Sequence, residues 1–442
     1  MLIEFTVGNF RSFKEKATLS MVAAKIKARD ENINKNNTIV INDKMTLLTS
    51  AGIYGANASG KSNLIKALGF MRLFVTKYST KSQSNEEIQV TPFRLCTETE
   101  TKPSFFEVVF LLDNMVYRYG FEADSKQIVS EWLFYTPRKS EVRLFAREGN
   151  DIQIGRDFKG GGVAKKATRS NALFLSTAAQ LNCETAVQIL GWFSKVNVIT
   201  GILDISYRGF TDRKFTEDPI YHDEIVKLIH RADVDIEDLT SEARPFSEVV
   251  SEFFPDMPQD LQQFILQDKN PDEQMVFKLI SSHTKRDANG MPVSSEKFDL
   301  ENDESAGTQK LYGISGPIID TLLCGEILII DEIEARLHTL LTRRLIQLFN
   351  SKITNPKNAQ LIFATHDTNL LSNKLFRRDQ IWFVEKDEFS ASHLYSLAEI
   401  KVDDNNSVRN DALFEDDYLH GRYGAIPLLG DLREMVNPSK EC

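Results

Sequence analysis

A chain of 442 residues, 42% hydrophobic and 26% charged, has the make-up of a soluble globular protein and exceeds one ordinary domain, so two or three lobes are expected. A net charge of −10 argues against coating nucleic acid through bulk charge, while leaving room for a local basic groove. Cys96, Cys183, Cys324 and Cys442 are scattered, with no CxxC and no Cys/His cluster of zinc spacing. Neither a structural metal nor a disulfide framework is expected, and few unpaired cysteines suit a reducing cytoplasm. Met1-Leu2-Ile3-Glu4 lacks a basic n-region and reads as a strand; the most apolar later stretch, Gly313–Ile330, carries Asp320 and Glu326 and makes a poor membrane span.

In chain order, Leu2–Val7 and Ala17–Met21 read as short strands around Asn9-Phe10-Arg11-Ser12-Phe13, and Lys25–Asn42 as an exposed loop. A strand over Thr46–Tyr54 leads into a glycine-rich loop that opens a helix over Asn63–Phe74. Phe105–Leu112, Met115–Phe121, Glu131–Tyr135 and Val142–Ala146 read as antiparallel hairpins. Gly160-Gly161-Gly162 with Lys165, Lys166 and Arg169 reads as a flexible basic loop, and Asn171–Gln180 as buried. From 184 to 270 the pattern is helical and polar, with an amphipathic helix over Pro219–Ala232. Met275–Ser282 and Val293–Leu300 pair across an Asn289-Gly290 turn. Residues 301–371 alternate helix, strand, helix, strand, the pattern of a parallel α/β core, and Gln380–Glu385 and Ala391–Ser396 are two further strands.

The chemistry concentrates in four places. Gly55-Ala56-Asn57-Ala58-Ser59-Gly60-Lys61-Ser62, followed by Asn63, is a full GxxxxGK[ST] phosphate-binding loop between a strand and a helix. Its glycines let backbone N–H groups face a triphosphate at a helix N-terminus; Lys61 is placed to reach the outer phosphates and the Ser62 hydroxyl to hold Mg²⁺. Glu326–Glu332 is an apolar strand ending in two acids, where Asp331 suits the Mg²⁺ shell and Glu332 the activation of a water. Gln360–His366 is a second buried strand, ending in a histidine that, neutral, can hydrogen-bond a γ-phosphate or the attacking water. Between loop and acids, Ser305-Ala306-Gly307-Thr308 caps a helix whose amides are oriented to meet phosphate.

Phosphate loop, Ser-Ala-Gly-Thr segment, Asp-Glu strand and strand-end histidine follow the order of ABC-class ATPases of the AAA superfamily, as in SMC, RecF and OLD proteins. Ser305–Thr308 resembles a variant of the LSGGQ signature, and Glu334-Ala335-Arg336-Leu337-His338 resembles the D-loop. Gln180 stands where the resemblance puts the metal-side Q-loop glutamine, with Gln89 as its rival. With Glu4-Phe5, Asn9–Phe13, Asn171–Asn182 and Tyr418–Pro427 added, nearly the whole chain resembles the RloA/AbiLi-type ATPases, bacterial proteins linked to phage defence. The fold class implied is α/β: an ABC-ATPase head-like P-loop NTPase with an antiparallel β lobe and a helical insertion lobe, and no long coiled coil.

The expected layout is 1–182 for the first part of the ATPase core, 183–300 for a mainly helical insertion, 301–397 for the second part of the core and 398–442 for a tail packed on it. The 76 residues after His366 are too few for the Toprim nuclease domain of OLD proteins, so no nuclease centre is expected. The resemblance implies a homodimer that sandwiches ATP and Mg²⁺ and governs a separately encoded effector in anti-phage defence, away from membranes. A RecF-like DNA-repair ATPase is the alternative, with Lys165, Lys166, Arg169, Arg343 and Arg344 as candidate DNA contacts.

Overall fold

Alternation of apolar and polar residues builds the first sheet. In β1 (Leu2–Gly8) and β6 (Ser104–Leu112), residues two apart share a face, which buries Phe5, Val7, Phe106, Val108 and Phe110. With β2 (Ala17–Ser20), β7 (Met115–Ala123), β8 (Ile128–Thr136), β9 (Val142–Glu148) and β10 (Asp151–Ile154) they form a seven-stranded antiparallel sheet, ordered β10-β9-β8-β7-β6-β1-β2. The computed structural model describes residues 1–202, 205–232, 235–245, 275–403 and 406–427.

The second sheet is made of continuously apolar strands. β5 (Ser50–Tyr54) and β16 (Gln360–Ala364) are buried throughout, and β15 (Ile327–Asp331) is buried up to its terminal acid. Strands covered on both faces have this composition. The order is β11-β15-β16-β5-β17-β18, where β11 is Val196–Thr200, β17 Ile381–Lys386 and β18 Ser392–Ser396; all neighbours are parallel except β18, antiparallel to β17. Helix α2 (Lys61–Leu73) buries Leu64, Ile65, Ala67, Leu68 and Met71 in a core shared with Phe106 and Phe121 of the first sheet and Ile329 and Ile362 of the second. Each of the larger of these side chains contributes roughly 1.5–3 kcal/mol by leaving water.

The chain divides into two compact units: Met1–Gly201, Thr321–Glu334 and Thr342–Cys442 form one, Ile202–Asp320 and Ala335–Leu341 the other. The boundary expected at 183 therefore falls after Gly201. The reason is β11, which hydrogen-bonds in register with β15 and belongs to the parallel sheet. The expected insertion is also less helical than its polar composition implies. Alongside α7 (Ile205–Glu217) and α8 (Pro219–Arg231) it carries an antiparallel sheet of β12 (Asp238–Pro245), β13 (Met275–Arg286) and β14 (Pro292–Asp299). Of the stretch from 184 to 270 read as helical, residues 203–204, 233–234 and 246–270 lie outside the described residues.

Three local expectations are corrected. Thr46–Tyr54 is two strands: β4 (Met45–Leu48) pairs with β3 (Thr38–Asn42), and at Thr49 the chain switches to the parallel sheet. Lys25–Asn42 contains helix α1 (Glu31–Asn36), capped by the Asp30 side chain on Asn32 N, besides β3; with Ile33 and Ile39 its main buried anchors, the local apolar signal is weak. Gly161–Ala167 is helix α4, which buries Ala164, and its Lys165 Nζ donates to Ile152 O at 2.5 Å. The final motif packs on the core: Tyr395 Oη donates to Tyr423 O at 2.8 Å and Ala425 N–H to Glu385 Oε2 at 2.8 Å. Residues 428–442 of the expected tail lie outside the described residues. Among the described residues no helix is long and apolar enough to cross a membrane, and the 19-residue helix Ala306–Cys324 is the longest, too short for an extended coiled coil.

Candidate functional site

Three parallel strands end side by side on one edge of the sheet. β16 lies between β5 and β15, with Gly52, Phe363 and Ile330 at one level. Neighbouring strands are about 4.8 Å apart, so the loops leaving β5 and β15 start roughly 10 Å apart with the end of β16 between them. Ligands of open α/β sheets bind at this edge.

The phosphate loop leaves β5 at Gly55, whose φ is 146° and where an added Cβ would stand 2.2 Å from the Val384 carbonyl oxygen. Glycine alone fits there. The loop is braced from two sides. Ser392 of β18 donates Oγ–H to Ser59 O at 2.5 Å and N–H to Ser12 O at 2.7 Å, and Asn63 Nδ2 donates to Ser12 Oγ at 2.8 Å. Ser59 is buried, and its Oγ has no hydrogen-bond partner among the described residues. Ala56, Asn57 and Ala58 form the outer part of the loop, with Asn57 and Ala58 exposed. Lys61, 4% exposed, donates Nζ to Gly55 O at 2.8 Å and to Ala56 O at 3.1 Å. Burial pushes its pKa down to about 8 against the opposing pull of Asp331, Glu334 and Glu332. A buried cation at a helix N-terminus whose first N–H groups lack intrahelical acceptors is suited to a polyphosphate.

The acids stand at the end of β15. Asp331 Oδ1 is buried with no hydrogen-bond partner among the described residues. An unpaired buried carboxylate oxygen fits a hard cation such as Mg²⁺, whose ligands are oxygens, and Ser62 at the start of α2 supplies a hydroxyl. Glu332 turns the chain with φ 56°, a left-handed conformation that costs a non-glycine residue about 1–3 kcal/mol. The neighbouring strand end holds this turn: Gly201 N–H donates to Asp331 O at 2.6 Å. An added Cβ at Gly201 would lie 1.9 Å from Glu332 O. Gly201→Ala is therefore expected to cost about 1–3 kcal/mol of stability by overpacking and to slow turnover by displacing Glu332. Thermal melts and turnover assays both unchanged from wild type would refute this.

His366 follows β16 and is exposed; its N–H donates to Glu334 Oε1 at 2.6 Å. Although the residue is exposed at the surface, partial desolvation of its ring and then Lys61 push the imidazole pKa below the usual value, against the pull of Glu334, Glu332 and Asp331. The ring is thus neutral near pH 7, as a hydrogen-bonding partner to phosphate or water requires.

Phosphate loop, Asp331-Glu332 and His366 lie in the first unit, and Ser305–Thr308 with Ala335–His338 in the second. Ser305 Oγ accepts the Thr308 N–H at 3.1 Å and lies 2.9 Å from Thr308 Oγ1, which caps helix Ala306–Cys324. Ser305 and Ala306 are exposed, and Gly307 lies against the Arg336 carbonyl. The preceding residue, Glu304, is gripped from β13 by Ser281 Oγ at 2.5 Å and His283 Nε2 at 2.6 Å.

The two candidate glutamines differ in their surroundings. Gln180 is exposed at the end of helix α5 (Phe174–Gln180), whose first turn is anchored by the buried Glu131 carboxylate accepting from Phe174 N at 2.6 Å and Leu175 N at 3.0 Å. No described hydrogen bond ties that helix to the phosphate loop. Gln89 lies on the segment where Thr91 O accepts from Arg11 N at 2.9 Å and Phe93 N–H donates to Asn9 Oδ1 at 3.1 Å. That hairpin carries Ser12, which braces the loop. Of the basic residues, Lys165 donates to Ile152 O and Arg169 to Ser79 O at 3.5 Å, so both are partly engaged by main chain. Sequence reasoning missed Gly201, Ser392 and the direct tie of Glu334 to His366. Each acts across more than 30 residues of chain; Gly201 and Ser392 sit in no recognisable motif, and the D-loop-like segment that begins at Glu334 does not by itself signal a bond to His366.

Comparison with known proteins gives a family match and likenesses to solved structures at low identity, among them two SMC heads. None of the curated proteins compared matches the chain. An SMC head domain from Thermotoga maritima shares 13% identity at TM-score 0.38, over 89% of this chain and 98% of that one. An SMC head bound to the C-terminal winged-helix domain of ScpA shares 14% at TM-score 0.38, over 89% and 97%. With scores this low, the fold rests on its own strand order and loop. The family model described as "AAA domain, putative AbiEii toxin, Type IV TA system" matches residues 50–183 and 200–372, more than half of the chain and all four motifs, and the chain belongs to that family.

Proposed function

We propose that this protein is an ATPase that binds ATP with Mg²⁺, closes as a homodimer around it and opens on hydrolysis. The observation that carries this reading is the buried Lys61 at the mouth of the phosphate loop after β5, on the same sheet edge as the unpaired Asp331 Oδ1 at the end of β15. Lys61 exchanges the carbonyls of Gly55 and Ala56 for the outer phosphate oxygens, and the loop N–H groups cradle the rest. Ser62 and Asp331 would hold Mg²⁺, with Gln180 or Gln89 completing its surroundings; when bound, the ion neutralises charge on the β- and γ-phosphates. Glu332 takes a proton from the attacking water, and neutral His366 orients that water or the γ-phosphate. Ser305, Ala306, Gly307 and Thr308 meet the nucleotide held by the partner copy, which the exposure of Ser305 and Ala306 at a helix N-terminus supports.

The useful output is the dimer's opening and closing, read by a separately encoded effector. The family's description, which names a toxin of a type IV toxin–antitoxin system, supports a paired partner and a defensive role. Light scattering with ATP, ADP and no nucleotide, alongside phosphate release, tests the proposal. A doubled mass in ATP alone, with measurable turnover, is expected; a constant mass and no phosphate release would overturn it.

A further inference from the structure

We infer that Glu334 is a positioning residue of the hydrolytic site: one carboxylate oxygen fixes the main chain of His366, and the other stands ready to accept a hydrogen bond from the attacking water. The inference rests on the ATPase reading above. Glu334 lies two residues beyond Glu332, and its Oε1 accepts the His366 N–H at 2.6 Å, tying the end of β15 to the end of β16. A bond from N–H to an ionised carboxylate is among the stronger hydrogen bonds. It fixes where the strand-end histidine leaves the sheet.

The second oxygen is the unusual part. Glu334 Oε2 is buried without a hydrogen-bond partner among the described residues, a costly state for a carboxylate oxygen. The same holds for Asp331 Oδ1 and for Tyr54 Oη. Glu334 stands at the sheet edge where β15 and β16 end, beside the strand end that carries Asp331 and Glu332, and its negative charge helps hold up the pKa values of Lys61 and His366 against their burial. A carboxylate so placed is not a surface acid of a helix start. In the reaction, the water oxygen bonds to Pγ and the bond from Pγ to the bridging oxygen breaks, its electron pair leaving with ADP. One water proton passes to Glu332, and Glu334 accepts a hydrogen bond from the O–H that remains.

The test compares Glu334→Ala and Glu334→Gln in the full chain. Glu334→Ala is expected to lower kcat by up to about 100-fold, the scale of a misplaced reacting group, with KM for ATP nearly unchanged. Glu334→Gln keeps an oxygen for the His366 N–H and is expected to recover part of that loss. In the nucleotide-free protein, the His366 amide proton resonance, assigned through His366→Gln, should lie far downfield in wild type and move upfield in Glu334→Ala. Wild-type kcat in Glu334→Ala, or an unmoved amide resonance in that variant, would overturn the inference. A wild-type chain that binds ATP but never releases phosphate would instead sink the ATPase reading, while the amide resonance still decides whether Glu334 holds His366.

Discussion

Glu332→Gln is expected to bind ATP, lose between about 100- and 10,000-fold in turnover and accumulate as an ATP-bound dimer. Glutamine keeps the size and most of the hydrogen bonding of the side chain while removing its basicity. Nucleotide affinity should persist because the phosphate loop, Lys61 and Asp331 are untouched. The left-handed backbone at Glu332, φ 56°, is retained at similar cost by glutamine, so the fold is not the variable. Single-turnover phosphate release and size-exclusion mass in ATP read the two effects separately. Unchanged release would remove Glu332 from the role of base; loss of binding would place it among the nucleotide ligands instead.

Lys61→Ala is expected to weaken ATP binding by about 100-fold or more, equivalent to about 2.7 kcal/mol. The side chain is nearly buried and holds the loop's own carbonyls of Gly55 and Ala56 in the free protein. Removing it deletes the charge facing the outer phosphates and leaves Asp331, Glu332 and Glu334 without their shared counter-charge. The lost charge-assisted bonds alone are each worth about 1.5–3 kcal/mol. Equilibrium binding of a fluorescent ATP analogue measures this, and wild-type affinity would sink the assignment of the loop. Circular dichroism melts separate lost binding from lost fold.

The strands, the phosphate loop and its helix were legible because their signals are local. β5, β15 and β16 are short apolar runs, and β6 to β9 are runs rich in β-branched and aromatic residues separated by turns. Where the local signal was thin, reading along the chain misled. Gly161–Ala167 looked like a basic loop because three glycines outweigh one buried alanine, yet packing of Ala164 makes it a helix. β11 was invisible as core because its place in the sheet comes from pairing with β15, some 130 residues away.

The chain's residue pattern by itself determined where the candidate side chains stand: Lys61, Ser62, Asp331, Glu332 and His366 are each at a strand end or helix start set by local periodicity. Tertiary structure decided how they are held. Strand order puts β16 between β5 and β15, Gly201 fixes the turn at Glu332, Ser392 braces Ser59, and Glu334 ties His366 to the acid strand. These are contacts between segments far apart in the chain, whose partners are selected by sheet pairing and buried hydrogen bonding, and no periodicity within one segment encodes them.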